Sequence, residues 1–296
     1  MVFCFLRGAM KKIKLKAYGK INLGLDVLGR RDDGYHDLDM IMQSVDLCDQ
    51  ITIAKNKTGE IKVTSNTSKI PNDESNLAYK SAKLLIDEFE IKKGVDIEIE
   101  KKIPISGGMA GGSTDCAAVL KGMNKLFKLR LSEQELMDRG VKLGADVPFC
   151  IMGKTARAEG IGEVLTPIKN KLKGYIVLAK PPISVSTGFV YGRIDEVEVK
   201  NKPDTEAMIE AIKKKDLKGL ADTICNVLEE VTIPDYPIVK EIKDKMIENG
   251  AINAMMTGSG PTVFGLFDDK KKAVAAVDVL KESRILEQLY LAKFVN

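Results

Sequence analysis

The stretch Ile103-Pro-Ile-Ser-Gly-Gly-Met-Ala-Gly-Gly-Ser-Thr-Asp-Cys-Ala-Ala118 carries the densest chemistry in the sequence. It lies between an alternating pattern (Val95, Ile97, Ile99) and a run of small, helix-compatible residues. Glycines let a backbone come close to a ligand and turn its N–H groups inward. The helix N-terminus that follows adds unpaired N–H donors and a partial positive charge, and the combination suits phosphate. Ser113 and Thr114 are expected to cap that helix and to offer hydroxyls to a phosphate or its metal. No Gly-Lys-Ser/Thr follows, and the spacing of Gly108 through Gly112 departs from G-x-G-x-x-G. A flexible glycine turn ahead of a tightly packed helix is the competing reading; the strand–loop–helix setting favours phosphate.

Scarcity narrows the rest of the chemistry. The 296 residues include one histidine, His36, and no tryptophan. A lone histidine excludes multi-histidine metal sites such as H-E-x-x-H, and any Ser-His-Asp scheme would run through His36 alone. Catalysis therefore falls to carboxylates, lysines and backbone. From its Gly-Tyr-His setting alone, His36 reads as a surface-turn residue.

Apolar residues make up 44% of the chain and charged residues 30%, a globular balance rather than a disordered one. With 46 basic and 42 acidic residues, the net charge of +4 leaves a nearly balanced surface. Runs such as Lys213–Lys215 and Lys270–Lys272 have acidic neighbours and read as solvated helix faces rather than a nucleic-acid patch. The five cysteines (Cys4, Cys48, Cys116, Cys150, Cys225) are odd in number, scattered and free of C-x-x-C pairs. Reduced thiols and a cytoplasmic location are expected. No segment approaches the roughly 18 apolar residues of a membrane helix, so no membrane association is expected. Residues 1–9 are too short an apolar start for a signal peptide, and are expected to come from an upstream start codon.

The elements that must position these residues follow from periodicity. Residues 11–18 alternate as a half-buried strand, and Ile51–Ile53 with Ile61–Val63 extend the pattern towards an antiparallel sheet. A helix is predicted over 76–89, capped by Asn76, with Leu77, Leu84, Leu85 and Phe89 on one side. The helix after the glycine loop is predicted from Ser113 to about Phe127. Ser132 and Glu135 form a capping box for another, with Gly144 at its expected end. Residues 175–179 read as a buried strand stopped by Pro181-Pro182. Helices follow at 204–215, 217–229, 237–249 and 270–283, with strands at 252–257, 262–267 and 289–295. Without a regular βαβ rhythm this is an α+β protein in two lobes, divided near 165–182.

Three separated segments resemble one superfamily. The loop is similar to the P-x-x-x-G-L-x-x-S-S-A phosphate loop of the galactokinase, homoserine kinase, mevalonate kinase and phosphomevalonate kinase (GHMP) superfamily. Ala17-Tyr-Gly-Lys-Ile-Asn-Leu23 resembles an A-K-x-N-L element, and Arg31-Asp-Asp-Gly-Tyr-His-Asp-Leu38 follows it. Leu143-Gly-Ala-Asp-Val-Pro-Phe149 and Met256-Thr-Gly-Ser-Gly-Pro-Thr262 complete the set, in order, from about residue 11 onward. Within the superfamily the pattern is nearest to kinases of a cytidine diphosphate-linked methylerythritol. Tyr18-Gly-Lys20 stands where Ala-Lys is commoner, and Met109 and Thr114 stand where Leu and Ser are usual.

The resemblance implies a two-lobed fold, with an N-terminal lobe like the second domain of ribosomal protein S5 and a ferredoxin-like C-terminal lobe. The implied division is a 1–10 extension, an ATP-binding domain at 11–170 and a C-terminal domain at 171–296. It implies an ATP- and Mg²⁺-dependent kinase acting on the 2-hydroxyl of a small cytidyl substrate, in the non-mevalonate route to isoprenoid precursors. Asp146 matches the superfamily's catalytic base and Lys20 its partner. Pro104, Ile105, Ser106, Gly107, Gly108, Met109, Ala110, Gly111, Gly112, Ser113 and Thr114 match the triphosphate cradle, with Asn76 and Lys101 on the adenine side. His36, Tyr35 and Tyr191 match the cytosine contacts, and Asn22, Thr187, Gly258, Ser259 and Gly260 fall near the substrate. Metal ligands are not implied. The expected protein is a monomer or homodimer.

Two alternatives stay open at this point. Another kinase of the superfamily, of the homoserine or mevalonate type, would not need Gly34-Tyr-His36 with Tyr191. A nucleic-acid-binding protein would share the fold of the N-terminal half, but balanced charge and few aromatics count against it.

Overall fold

The computed structural model describes residues 11–296. The expected extension at 1–10 lies outside the described residues.

The alternation at 11–18 is the first part of a longer strand, β1 (Lys12–Arg30), paired antiparallel with β2 (His36–Lys55). Gly19 does not end it. A Cβ there would meet Ile103 and Met109 at 3.4 Å, so this glycine marks the close approach of the glycine loop. Register shifts between Tyr18 and Lys20 and between Asn22 and Gly24 put irregularities on both sides of Lys20 and Asn22. Such bulges bend a strand and re-aim its side chains.

The chain continues through β3 (Ile61–Ser65), β4 (Val95–Glu100), β5 (Thr155–Gly160), β6 (Val164–Pro167) and β7 (Tyr175–Lys180). It ends with β8 (Cys225–Asn226), β9 (Asn253–Met256), β10 (Val263–Phe267) and β11 (Gln288–Ala292). One sheet runs β3-β4-β2-β1-β8, with β5 on β2 and β6 on β5; the second runs β11-β7-β10-β9. The strand at 61–65 differs from the antiparallel expectation. It pairs parallel with β4, because helix α1 (Leu77–Glu88) supplies the crossover between them.

Asn76 caps α1 as predicted, accepting from the Ala78 N–H. The buried face is Ala78, Ser81, Ala82 and Leu85; Leu84 is half-buried, and Phe89 lies exposed beyond the helix end. Helix α2 (Gly111–Phe127) opens two residues before the expected Ser113. Its cap, Ala110, is left-handed (φ 56°) and makes no side-chain capping bond, so neither Ser113 nor Thr114 caps it. The predicted capping box opens α3 (Glu133–Gly140), which stops four residues short of Gly144. Asp146 then precedes the short α4 (Val147–Met152).

After β7 come α5 (Thr187–Arg193), a 3₁₀ turn (Ile194–Glu196), α6 (Thr205–Lys214) and α7 (Leu217–Thr223). The helix predicted over 217–229 breaks at Ile224, which is extended, and β8 then pairs with β1. Helices α8 (Glu229–Asp235), α9 (Ile238–Glu248) and α10 (Lys270–Glu282) complete the described chain.

One core lies between α1–α3 and the first sheet, around Ile51, Ile97, Val119 and Leu120. A second joins the two sheets, with Ile21, Leu23 and Ile41 packed among Ile176, Leu178 and Phe264. Burying side chains this large gains about 1.5–3 kcal/mol each. Among the described residues no helix is long and apolar enough to cross a membrane.

Candidate active site

A cavity of about 910 Å³ opens between the elements just described. Its walls include Lys20 and Asn22 from β1, Tyr35 and His36 at the start of β2, the glycine loop, Asp146, Thr187 and Tyr191 from α5, and Gly258 and Ser259. Residues far apart in sequence thus meet in one space. Met109, Thr114 and Gly260 are not among the lining residues. Met109 packs in the core between the sheets, and the Thr114 hydroxyl donates to the Tyr18 carbonyl at 2.6 Å, which takes it away from any phosphate.

At one end the lining is main chain. Ser106, Gly108 and Ala110 have φ of 51°, 73° and 56°, so the loop repeatedly enters the left-handed region. Such alternation builds an N–H concavity for anions. The first N–H groups of α2 continue it, since no side chain caps that helix. Glycine is required at 108: a Cβ there would stand 2.2 Å from the Thr257 carbonyl oxygen. The 256–262 segment therefore buttresses the loop, backbone against backbone. Thr257 accepts from the Asn22 N–H at 3.0 Å and donates to the Gly108 carbonyl at 3.3 Å, tying β1 to both glycine segments. Buried Asn226 donates to the carbonyls of Met256 and Gly258, both at 2.8 Å.

Behind the loop lies an ionic cluster that no sequence pattern announced. Lys101 donates to Asp49 at 2.5 Å and to Asp115 at 2.8 Å, and all three side chains are buried. Asp49 also accepts from the Ile103 N–H at 2.9 Å, which pins the start of the loop. Burial pushes the Asp115 carboxyl up to about 7; Lys101 opposes that shift and Asp49 reinforces it. Burial alone would lower Lys101, but attraction to Asp115 and Asp49 prevails and raises it. Asp115 Oδ1 has no partner among the described residues. Lys101 and Asn76 do line the cavity, with their polar groups engaged in the fold: the Asn76 amide donates to the Pro71 carbonyl while its oxygen caps α1.

In the middle, the Lys20 ammonium donates to Asn22 Oδ1 at 2.8 Å and stands 3.8 Å from Asp146 Oδ2. Lys20 is buried; the Asp146 side chain is 35% exposed, towards solvent in the cavity. A carboxylate open to a substrate hydroxyl, backed by an ammonium, is the arrangement proton removal requires. Among the described residues no three or more His, Cys, Asp or Glu side chains cluster to hold a metal ion. Ser113 is among the residues that line the cavity.

At the other end the lining is side chain. The ring centroids of His36 and Tyr191 are 5.6 Å apart at an interplanar angle of 37°. Tyr35 is 60% exposed beside them. Burial, with the nearby Asp146 carboxylate, pushes the Tyr191 phenol upward. His36 Nε2 lies 3.1 Å from each oxygen of Asp195, in the 3₁₀ turn. The Thr187 and Ser259 hydroxyls are 2.9 Å apart. Asp195, Asp49 and Asp115 escaped the sequence reading. Nothing in Arg193-Ile-Asp-Glu-Val-Glu198 distinguishes Asp195 from a solvated charge, whereas Thr257 lay inside a recognised glycine motif without a role.

The family patterns described as GHMP kinases N terminal domain and GHMP kinases C terminal match residues 76–154 and 208–285. Fold, glycine segments and sequence pattern together define a GHMP kinase. The 4-diphosphocytidyl-2-C-methyl-D-erythritol kinase of Alkaliphilus oremlandii is 51% identical over 288 residues, covering 97% of this chain and 98% of its own. A solved 4-(cytidine 5'-diphospho)-2C-methyl-D-erythritol kinase superposes with a TM-score of 0.82 at 29% identity, over 96% of this chain and 100% of its own. The chain belongs to the 4-diphosphocytidyl-2-C-methyl-D-erythritol kinase family. Homoserine kinase from Cytophaga hutchinsonii (TM-score 0.76, 16% identity, 97% of this chain and 96% of its own) shares the fold alone.

Proposed function

We propose that this protein transfers the γ-phosphoryl group of ATP to the 2-hydroxyl of 4-diphosphocytidyl-2-C-methyl-D-erythritol, a step of non-mevalonate isoprenoid synthesis. The observation that carries the reading is the Lys20–Asp146 pair, which shares one cavity with a main-chain anion cradle and with a histidine–tyrosine pair. Asp146 takes the hydroxyl proton as the oxygen attacks phosphorus, and Lys20 orients that carboxylate. Alignment and charge neutralisation do most of the work in such transfers.

Residues 105–108 and 110–113 cradle the triphosphate through backbone N–H groups, with Pro104 beside them and Asn76 and Lys101 shaping the adenine side. His36, Tyr35 and Tyr191 hold the cytosine; a flat base needs an aromatic face and directional hydrogen bonds. Asn22, Thr187, Gly258 and Ser259 enclose the remainder of the substrate, and Gly260 shapes the turn behind them. Mg²⁺ arriving with ATP would find the Ser113 hydroxyl as its protein group, since Mg²⁺ rarely takes an all-protein cage. It would supply charge neutralisation at the phosphates. The domain division at 170/171, a cytoplasmic location and a monomer or homodimer belong to the same reading.

The test is a phosphotransfer assay with ATP and Mg²⁺ in which the cytidyl compound is compared with homoserine and mevalonate. Turnover of the cytidyl compound alone is expected. Preference for either other acceptor would overturn the substrate assignment.

A further inference from the structure

We propose that Asp195 is a positioning residue for base selection: it fixes the His36 tautomer so that Nδ1 accepts a hydrogen bond from an exocyclic amine, favouring aminopyrimidines over oxopyrimidines. This rests on the cytidyl reading above and deepens it. Asp195 meets His36 Nε2 with both carboxylate oxygens at 3.1 Å. An ionised carboxylate only accepts, so Nε2 is the ring nitrogen that carries hydrogen. In the neutral ring the other nitrogen then keeps its lone pair. Nδ1 has no hydrogen-bond partner among the described residues and is not among the sealed, unpartnered atoms. His36 itself lines the cavity.

The supporting structure is local and stiff. Ile194, next to Asp195, is buried in the core, and the preceding helix α5 carries Tyr191, whose ring packs near His36. One segment, 187–196, therefore supplies both the ring beside the imidazole and the carboxylate that orients it. A cytosine presents an amine at C4; a uracil presents a carbonyl oxygen there. An acceptor aimed at that position pairs with the first and opposes the second. Sites built around a hydrogen bond reject analogues that cannot make it, because a buried polar group is left unpaired.

The single imidazole makes the test direct. In ¹⁵N-labelled wild-type protein, at a pH where the imidazole is neutral, the ring should carry hydrogen on Nε2 and none on Nδ1, and CDP but not UDP should shift the Nδ1 resonance. Asp195→Asn keeps the size but can donate as well as accept, so a mixed tautomer population is expected. The kinetic expectation for Asp195→Asn is a fall of about tenfold in the preference for the cytidyl substrate over its uridyl counterpart, the scale of one hydrogen bond to a neutral group. Most of that loss should lie in the cytidyl KM rather than in kcat. Asp195→Glu should restore part of the preference, which a packing role would not predict. A wild-type ring protonated at Nδ1, or an unchanged cytidyl/uridyl ratio in Asp195→Asn, would overturn the proposal. Absence of any cytidyl turnover by the wild-type protein would instead sink the substrate reading, with the ring spectra still reporting on Asp195.

Discussion

The two ends of the cavity are built by different means. At the glycine-loop end the surface is main chain, shaped by left-handed residues at 106, 108 and 110 and pressed against a second glycine segment. At the histidine end the surface is side chain, assembled from β2, α5 and a 3₁₀ turn. A phosphate chain offers only charged oxygens, so a continuous run of N–H groups answers it. A base offers a face and a pattern of donors and acceptors, which only separately placed side chains can match. The Lys20–Asp146 pair lies between the two and belongs to neither.

The largest expected effect is there. Asp146→Asn keeps the shape of the side chain but removes the proton acceptor, and a loss of at least about a hundredfold in kcat is expected. The KM values for both substrates should change little. Steady-state kinetics would contradict the assignment if turnover stayed within a few-fold of the wild type.

Next come the ends themselves, where one substitution at each should separate them. Gly108→Ala forces a Cβ against the Thr257 carbonyl, at a φ of 73°. The left-handed conformation alone costs a non-glycine residue about 1–2 kcal/mol, and the loop must move away from its buttress. The apparent KM for ATP should rise about tenfold or more, each factor of ten corresponding to about 1.4 kcal/mol, and the urea midpoint should fall. His36→Ala should leave the ATP KM near its original value and raise that of the cytidyl substrate by about tenfold, the scale of one lost hydrogen bond plus ring contact. If both variants disturbed both substrates equally, the separation between the two ends would collapse.

The same contrast explains what the sequence made legible. The phosphate end is written contiguously: glycines at 107, 108, 111 and 112 between a strand and a helix announce themselves, because backbone conformation is a local property. The α+β class, the buried strand at 175–179 and the helices near 204–215, 237–249 and 270–283 were legible for the same reason. The base end was reached through family resemblance, since Tyr35 and Tyr191 are 156 residues apart and nothing local links them and His36 to one site. Asp195 could not be found at all. Its partner lies across the cavity wall, and a carboxylate among other charges carries no signal of what it faces. The helix predicted over 217–229 failed likewise: its break at Ile224 comes from pairing of Cys225 and Asn226 with β1, a tertiary contact that overrides local propensity.

The smallest expected effect concerns what lies beneath each end. Asp195 at the base end is 40% exposed and has one partner ring, whereas Asp115 at the phosphate end is buried with Asp49 around a single ammonium. One positive charge cannot neutralise two carboxylates, so the cluster carries an excess negative charge when fully ionised, and burial raises the Asp115 pKa to about 7. A carboxyl whose pKa is raised by folding retains a proton that the unfolded chain has already lost. Stability therefore declines as pH rises from about 4, where an unfolded aspartate titrates, towards the folded value, with a slope of at most about 1.4 kcal/mol per pH unit. Above that value the penalty is constant. Asp115→Asn keeps an oxygen for Lys101 and removes the titration. Urea midpoints measured between pH 5 and 8 should then fall less steeply for the variant than for the wild type, and parallel curves would show that Asp115 stays ionised throughout. The outcome bears on the contrast itself. The fixed charge at the main-chain end sits in buried side chains, whose ionisation burial makes costly, whereas the charge at the base end is a half-exposed carboxylate.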